Sequence, residues 1–237
     1  MKVEKVNRAE YIVRRFENAH IELTEEKAER LIALCDFMVE YNKNVNLTAI
    51  TEFEEVVEKH FIDSVLPFTM VDIPTNSRFI DIGTGAGFPS LPLLIWRDDL
   101  RGTLVDSLEK RCVYLRQACE KLGINAEIVH TRGEELGKAR REEFDFACAR
   151  AVAALPVLLE YCVPFVKVGG YFTALKSVNE DPKEAENALK ELGAEVERTV
   201  DYKLPNGDSR RLIIIKKVRH TPTKYPRSSA NIKKKPL

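Results

Sequence analysis

Three glycines, Gly83, Gly85 and Gly87, fall within five positions between the apolar runs FIDI and FPSLPLLIW. Lacking Cβ atoms, such a turn can take positive φ and let a ligand lie against its backbone. Asp81 stands two residues ahead of it. Asp106, followed by Ser107, closes the next apolar run 19 residues beyond Gly87. A carboxylate there can accept hydrogen bonds from both ribose hydroxyls of an adenosine. The dinucleotide fingerprint would need its third glycine where Phe88 stands, and no Lys-Ser or Lys-Thr follows the turn. Neither a dinucleotide site nor a phosphate-gripping loop matches that pattern.

Positioning these residues requires alternating elements, and the sequence supplies them. RFIDI (78–82), GTLVDS (102–107), AEIVH (126–130), FDFACAR (144–150) and YFTALK (171–176) read as strands, with K-V-G-G (167–170) ahead of the fifth. FPSLPLLIW (88–96), LEKRCVYLRQACEKLG (108–123) and DPKEAENALKELG (181–193) read as helices; Pro89 suits a first turn and Gly123 a C-terminus. AEVERTVDYKL and RLIIIKK, joined around PNGD, read as an antiparallel pair. The alternation implies an α/β fold: a doubly wound sheet of about seven strands, mostly parallel. Ahead of it, Ala28, Leu31, Ile32, Cys35, Met38 and Val39 recur at the helical period, YNKNVNLTAI reads as a loop, and T-E-F-E (51–54) as a capping box. The expected division is a helical segment over 1–75, a cofactor-binding core over 76–217 and a basic, flexible tail over 218–237.

The 37 basic and 37 acidic residues cancel, but eight of the basic ones and no acid lie in 216–237. A basic end on an acidic body points to a polyanionic partner or to a solvated terminus. No apolar run reaches the roughly 18 residues of a membrane span, and the N-terminus lacks the apolar centre of a secretion signal, so a cytoplasmic protein without a membrane role is expected. Five cysteines without a C-x-x-C pair read as reduced, buried thiols rather than disulfides or a metal site.

The string D-I-G-T-G-A-G resembles motif I of the class I S-adenosylmethionine (SAM)-dependent methyltransferases, whose fold is Rossmann-like. Y-N-K-N-V-N-L-T (41–48), H-F-I-D-S (60–64), D-I-G-T-G-A-G-F-P (81–89), V-D-S-L-E-K-R (105–111), R-G-E-E (132–135), A-R-A (149–151), A-L-K (174–176) and a K-Y-P-R tail (224–227) follow in order. Together they resemble the RsmG (GidB) family, which methylates N7 of one guanine in bacterial small-subunit (16S) ribosomal RNA. The resemblance implies SAM as methyl donor, S-adenosylhomocysteine as product, no metal, the small ribosomal subunit as partner, and a monomer. It implies cofactor contacts at Gly83, Phe88, Gly133, Glu134 and Arg150, beside Asp81, Gly85, Gly87, Asp106 and Ser107 of the turn and its partner acid. Asn46, Thr48, His60, Asp63 and Ser64 are implied near the site.

Alternatives accompany most of these residues. Asp81 could orient the turn or cap local N–H groups, Phe88 could be simple core, and Glu134, in the loop after the third strand, could be a first-turn helix acid. Arg150 ends an apolar strand and needs a partner: cofactor, RNA or a structural ion pair. It is the one catalytic candidate, through positioning. His60 could serve the C-terminal dipole of a 52–60 helix. Lys176, Lys224, Arg227, Lys233, Lys234 and Lys235 are the phosphate-contact candidates. Cys148 could be a cytosine-C5 nucleophile, although a packed strand residue suits it better. The rival readings are methylation of another nucleobase or a small molecule, and a SAM-binding RNA module without turnover.

Overall fold

The computed structural model describes residues 7–150 and 153–237; Ala151 of the A-R-A motif lies outside them. Seven strands form one sheet in the order β3-β2-β1-β4-β5-β7-β6. β1 (Arg78–Ile82), β2 (Arg101–Asp106), β3 (Ala126–His130), β4 (Phe144–Arg150) and β5 (Val166–Lys176) run parallel. β7 (Ser209–Lys217) is antiparallel to both β5 and β6 (Ala194–Lys203). Strand order reverses between β1 and β4, the place where such sheets bind ligands.

Side-chain alternation along each strand feeds two cores. Phe79, Phe146, Cys148, Leu212 and Ile214 face the helical N-terminal segment, α5 (Ser90–Trp96) and α6 (Glu109–Leu122). Ile80, Ile82, Ala147, Ala149, Ile213 and Ile215 face α8 (Leu155–Cys162) and α9 (Glu186–Leu192). Period two then carries Asp81 and Arg150 to the side of Phe79 and Cys148, and Arg210 to the side of Leu212. That parity decides what these charged residues can meet.

The N-terminal segment shares the first of these cores. α1 (Arg8–Asn18) and α2 (Glu25–Asn42) bury Ile12, Phe16, Leu31, Leu34 and Met38 in it, and Thr24 caps α2 by accepting from the Lys27 N–H at 3.3 Å. α3 (Phe53–Val56) has Glu52 at its N-cap with no side-chain bond, so the T-E-F-E capping box does not form. Helical backbone then continues through a π turn (Val57–Ile62), α4 (Asp63–Val65) and a 3-10 turn (Leu66–Met70). His60 therefore lies inside a helical run and serves no C-terminal dipole.

Three further elements depart from the sequence reading. K-V-G-G belongs to β5: its four residues stand against the single Asp145 of β4 between the Phe144–Val166 and Phe146–Tyr171 pairs, a bulge. α7 (Gly133–Ala139) follows β3, so Glu134 lies in a first helical turn and not in a loop. The tail, expected to be flexible, is docked on the body. Arg227 grips the fully buried Glu160 with two bonds, Nε–Oε1 2.8 Å and Nη2–Oε2 2.6 Å. Arg141 donates to the carbonyls of Thr221 and Tyr225, and α10 (Ser229–Lys234) buries Ile232. A buried carboxylate is tolerable only when paired in this way; the acid within the apolar run LPVLLEYC was its sequence signal.

Candidate active site

Two cavities open at the carboxyl ends of the strands. The first, about 410 Å³, is lined by Gly83, Asp106, Ser107, Gly133 and Glu134, all singled out in the sequence, with Tyr161 of α8 and Ser229 and Lys233 of α10. Gly85 and Gly87, singled out with Gly83 as cofactor contacts, belong to the same turn but do not line the cavity. Both have positive φ, and a Cβ on Gly87 would lie 2.4 Å from Leu91 Cδ1, so this turn is closed to other residues. Asp106 holds the turn in place: its carboxylate accepts from the Gly85 N–H at 3.0 Å and the Leu108 N–H at 2.9 Å, with Arg111 at 3.4 Å.

Asp81 sits behind the turn rather than in the cavity. It is fully buried, accepts from the Ser90 hydroxyl at 2.6 Å, and its Oδ1 has no partner among the described residues. Burial pushes its carboxyl up to about 7, against the hydrogen bond from Ser90. It caps no backbone N–H in its hydrogen bonds.

The second cavity, about 710 Å³, gathers Lys59, His60, Asp63, Arg150, Lys176, Glu180 and Arg210, and shares Ala153 with the first. Arg150 is its centre. Its guanidinium donates to the Lys59 carbonyl at 3.2 Å, approaches His60 Nδ1 at 3.4 Å and Asp63 at 3.7 Å, and lies 5.2 Å from the Phe88 ring centroid. Phe88 stacks on His60 at 4.3 Å and is buried between the two sites, lining neither cavity. Arg210 pairs with Asp63 at 3.0 Å, and Lys176 with Glu180 at 3.2 Å. Burial and the neighbouring Arg150 cation hold His60 down to about 4, so it is neutral at pH 7. Burial raises Asp63, opposed by Arg150 and Arg210. Cys148 is fully buried and its thiol is pushed well up by desolvation and Asp81, which removes the thiolate a C5 nucleophile needs.

Other candidates fall elsewhere. Thr48 supports the site from behind, bonded to His60 Nε2 at 2.9 Å, while Asn42 organises the loop by accepting from the Leu47 and Thr48 N–H groups at 2.7 and 3.1 Å. Asn46 is exposed beyond both cavities, and Ser64 is fully buried, out of reach of RNA. Arg227 is committed to Glu160 and Lys224 lies 3.3 Å from Glu191, so neither is a free phosphate contact here. Lys233 belongs to the first cavity; Lys234 and Lys235 are exposed outside it. Lys59, Glu180 and Arg210 were missed. Arg210 was legible, since alternation back from Ile214 and Leu212 puts it on the side of Arg150.

The family model described as GidB, rRNA small subunit methyltransferase G, matches residues 10–213. The chain belongs to this family. Relatives named ribosomal RNA small subunit methyltransferase G include one from Thermoanaerobacter sp. (strain X514), 48% identical over 206 residues, spanning 84% of this chain and 86% of its own. Another, from Acetivibrio thermocellus, is 45% identical over 222 residues, 92% of this chain and 91% of its own. Among solved structures, TrmN from Thermus thermophilus superposes with a TM-score of 0.52 at 17% identity, covering 68% of this chain and 53% of that one. The mitomycin 7-O-methyltransferase MmcR gives 0.53 at 16%, over 67% and 54%. These distant likenesses establish the fold that the family members share: the class I methyltransferase sheet.

Proposed function

We propose that the protein transfers a methyl group from SAM to N7 of a guanine in 16S ribosomal RNA, in the cytoplasm and as a monomer. The observation that carries this reading is the pair of adjoining cavities: one walled by a glycine turn and acids without a phosphate grip, the other by cations and a neutral histidine. The first suits an adenosine. Its volume lies in the ordinary ligand range, Gly83 presents its backbone to it, and Asp106 and Glu134 line it as acceptors.

When bound, SAM supplies a methyl on a sulfonium; as the C–N bond to N7 forms and the S–C bond breaks, the positive charge moves to guanine and no proton leaves. Base catalysis is therefore unnecessary, and the site is built accordingly. His60 stays neutral, Asp63 is committed to arginines, and Cys148 stays a thiol. Arg150, within the second cavity, holds His60, Phe88 and the Lys59 carbonyl in one arrangement. Its role is positioning, and alignment of reacting groups can supply up to roughly 7–11 kcal/mol. Lys59, Arg210 and Lys176 line this cavity, each paired with a carboxylate (Glu55, Asp63 and Glu180) that an anionic backbone lying there would share or displace.

The test is to incubate labelled SAM with naked RNA and with small subunits, then map product by m7G-specific strand scission. Label confined to an exocyclic amine or a ring carbon overturns the N7 reading. Transfer to metabolites with indifference to RNA favours the small-molecule rival, and tight SAM binding without any transfer favours the non-catalytic one.

A further inference from the structure

We propose that the C-terminal helix α10 completes the cofactor cavity and that Lys233 is a cofactor-binding residue, not an RNA contact. This rests on reading the first cavity as the adenosyl site. Ser229 and Lys233 are four residues apart, so one helix face presents both to the cavity. Ile232, three residues after Ser229 on the adjoining face, is fully buried against the body.

The approach to α10 is fixed at every step. Tyr225 is buried and donates to Glu191 at 2.8 Å; Pro226 fills the space beside Gly137, where a Cβ would come within 2.9 Å of its Cγ. Arg227 neutralises Glu160, and Ser229 shares a 2.7 Å hydrogen bond with Tyr161, itself a wall of the cavity. A tail used only to grope for phosphate would need none of these anchors. Glu160 in particular, a fully buried acid, is satisfied by the tail's guanidinium and the Arg227 N–H.

The chemistry of the residue suits the ligand. A lysine ammonium offers three donors and no acceptor, and adenosine presents ring nitrogens, ribose oxygens and a π face as acceptors. Asp106 and Glu134 share the cavity lining with Lys233, giving the ligand acceptors and a donor together. Lys234 and Lys235 project elsewhere. Because binding free energies are reciprocal, a ligand held by α10 must also hold α10 down.

Calorimetry with S-adenosylhomocysteine on the full chain tests this. Lys233→Ala should weaken binding five- to tenfold and Ile232→Asp, which lifts the helix, at least tenfold, whereas Lys234→Ala should stay within twofold. In the unaltered protein, the ligand should slow tryptic cleavage of the tail at least fivefold. Folded Lys233→Ala and Ile232→Asp variants with unchanged ligand affinity and weakened RNA binding overturn the proposal. Asp106→Asn separates the two readings: if it leaves affinity intact, the cavity itself is misassigned; if it abolishes binding while the α10 variants do not, only the role of α10 fails.

Discussion

The two cavities meet at Ala153, yet they are built in different ways. Much of the first comes from consecutive strand ends, the turn after β1, the acid ending β2 and the helix start after β3, with Tyr161 of α8 and Ser229 and Lys233 of α10 closing it. The second is assembled from side chains far apart in the chain, from Lys59, His60 and Asp63 across to Arg150, Lys176 and Arg210. On the proposed reading, a ligand common to many enzymes would be held largely by the strand-end geometry of the sheet. On the same reading, the acceptor would meet residues that the N-terminal segment and strands β4, β5 and β7 bring together. Breaking the first should cost fold and cofactor together, and breaking the second should cost turnover alone.

The largest effect is expected at Gly87. Gly87→Ala forces a Cβ into positive φ and to 2.4 Å from Leu91 Cδ1, a combined strain and overlap of about 3–4 kcal/mol. Urea unfolding should show that loss, and adenosylhomocysteine binding should disappear. Gly207→Ala is the control: φ is +93° there too, but nothing lies within 4 Å, so about 1 kcal/mol with intact binding is expected. Equal losses at both glycines would show that the turn has no special packing role.

Arg150→Met probes the second cavity. It should lower kcat/KM for RNA about 100-fold, roughly 2.7 kcal/mol of transition-state stabilisation, while adenosylhomocysteine affinity stays within threefold. A parallel loss of both would place Arg150 on the cofactor and erase the division between the sites.

How legible each cavity was follows from the same difference. Strands β1, β3 and β4 begin and end where the sequence placed them, because short apolar runs bounded by turns leave little choice of register. Asp106 and Glu134 were readable from spacing and motif. His60, by contrast, gave no local sign of stacking on Phe88 or leaning on Arg150; those contacts span the interface between the helical segment and the sheet. The π turn that aims it has no sequence signal, and tertiary packing overrode the capping box at Thr51. The tail misled for an electrostatic reason. Eight cations without acids look solvated, but Lys217, Lys224 and Arg227 find Glu142, Glu191 and Glu160 on the body, partners that only the fold brings near.

Acid–base linkage sharpens the comparison further, since Asp81 behind the turn of the first cavity and His60 in the second are displaced with opposite effects on stability. His60 titrates at about 4 in the fold and near 6.5 unfolded. The unfolded chain binds the extra proton in that window, so this contribution is present above pH 6.5 and is lost as pH falls toward 4. Asp81, raised from 3.8 to about 7, does the reverse: the fold holds the proton, and stability declines as pH rises through that window. The two slopes oppose each other in the unaltered protein. His60→Gln should leave a fold that loses about 2 kcal/mol between pH 4.5 and 6.5, and Asp81→Asn one that gains about as much. Urea midpoints across that range measure both, and parallel slopes in the two variants would mean that neither group is displaced as its burial implies.

The smallest effect is expected at the outermost lysines. Lys234 and Lys235 stand exposed beyond the first cavity, with no ion pair among the described residues. If both neutralise phosphates, the double Lys→Ala variant should flatten the dependence of log affinity on log salt by about 1.4, at about −0.7 per single-stranded phosphate. Adenosylhomocysteine affinity should not move, because neither residue lines the cavity that Lys233 faces. An unchanged slope would leave RNA attraction to the rim of the second cavity, to Lys59, Lys176 and Arg210. The basic end of the chain would then serve the cofactor side alone, and the two cavities would divide the molecule's cations between them by function.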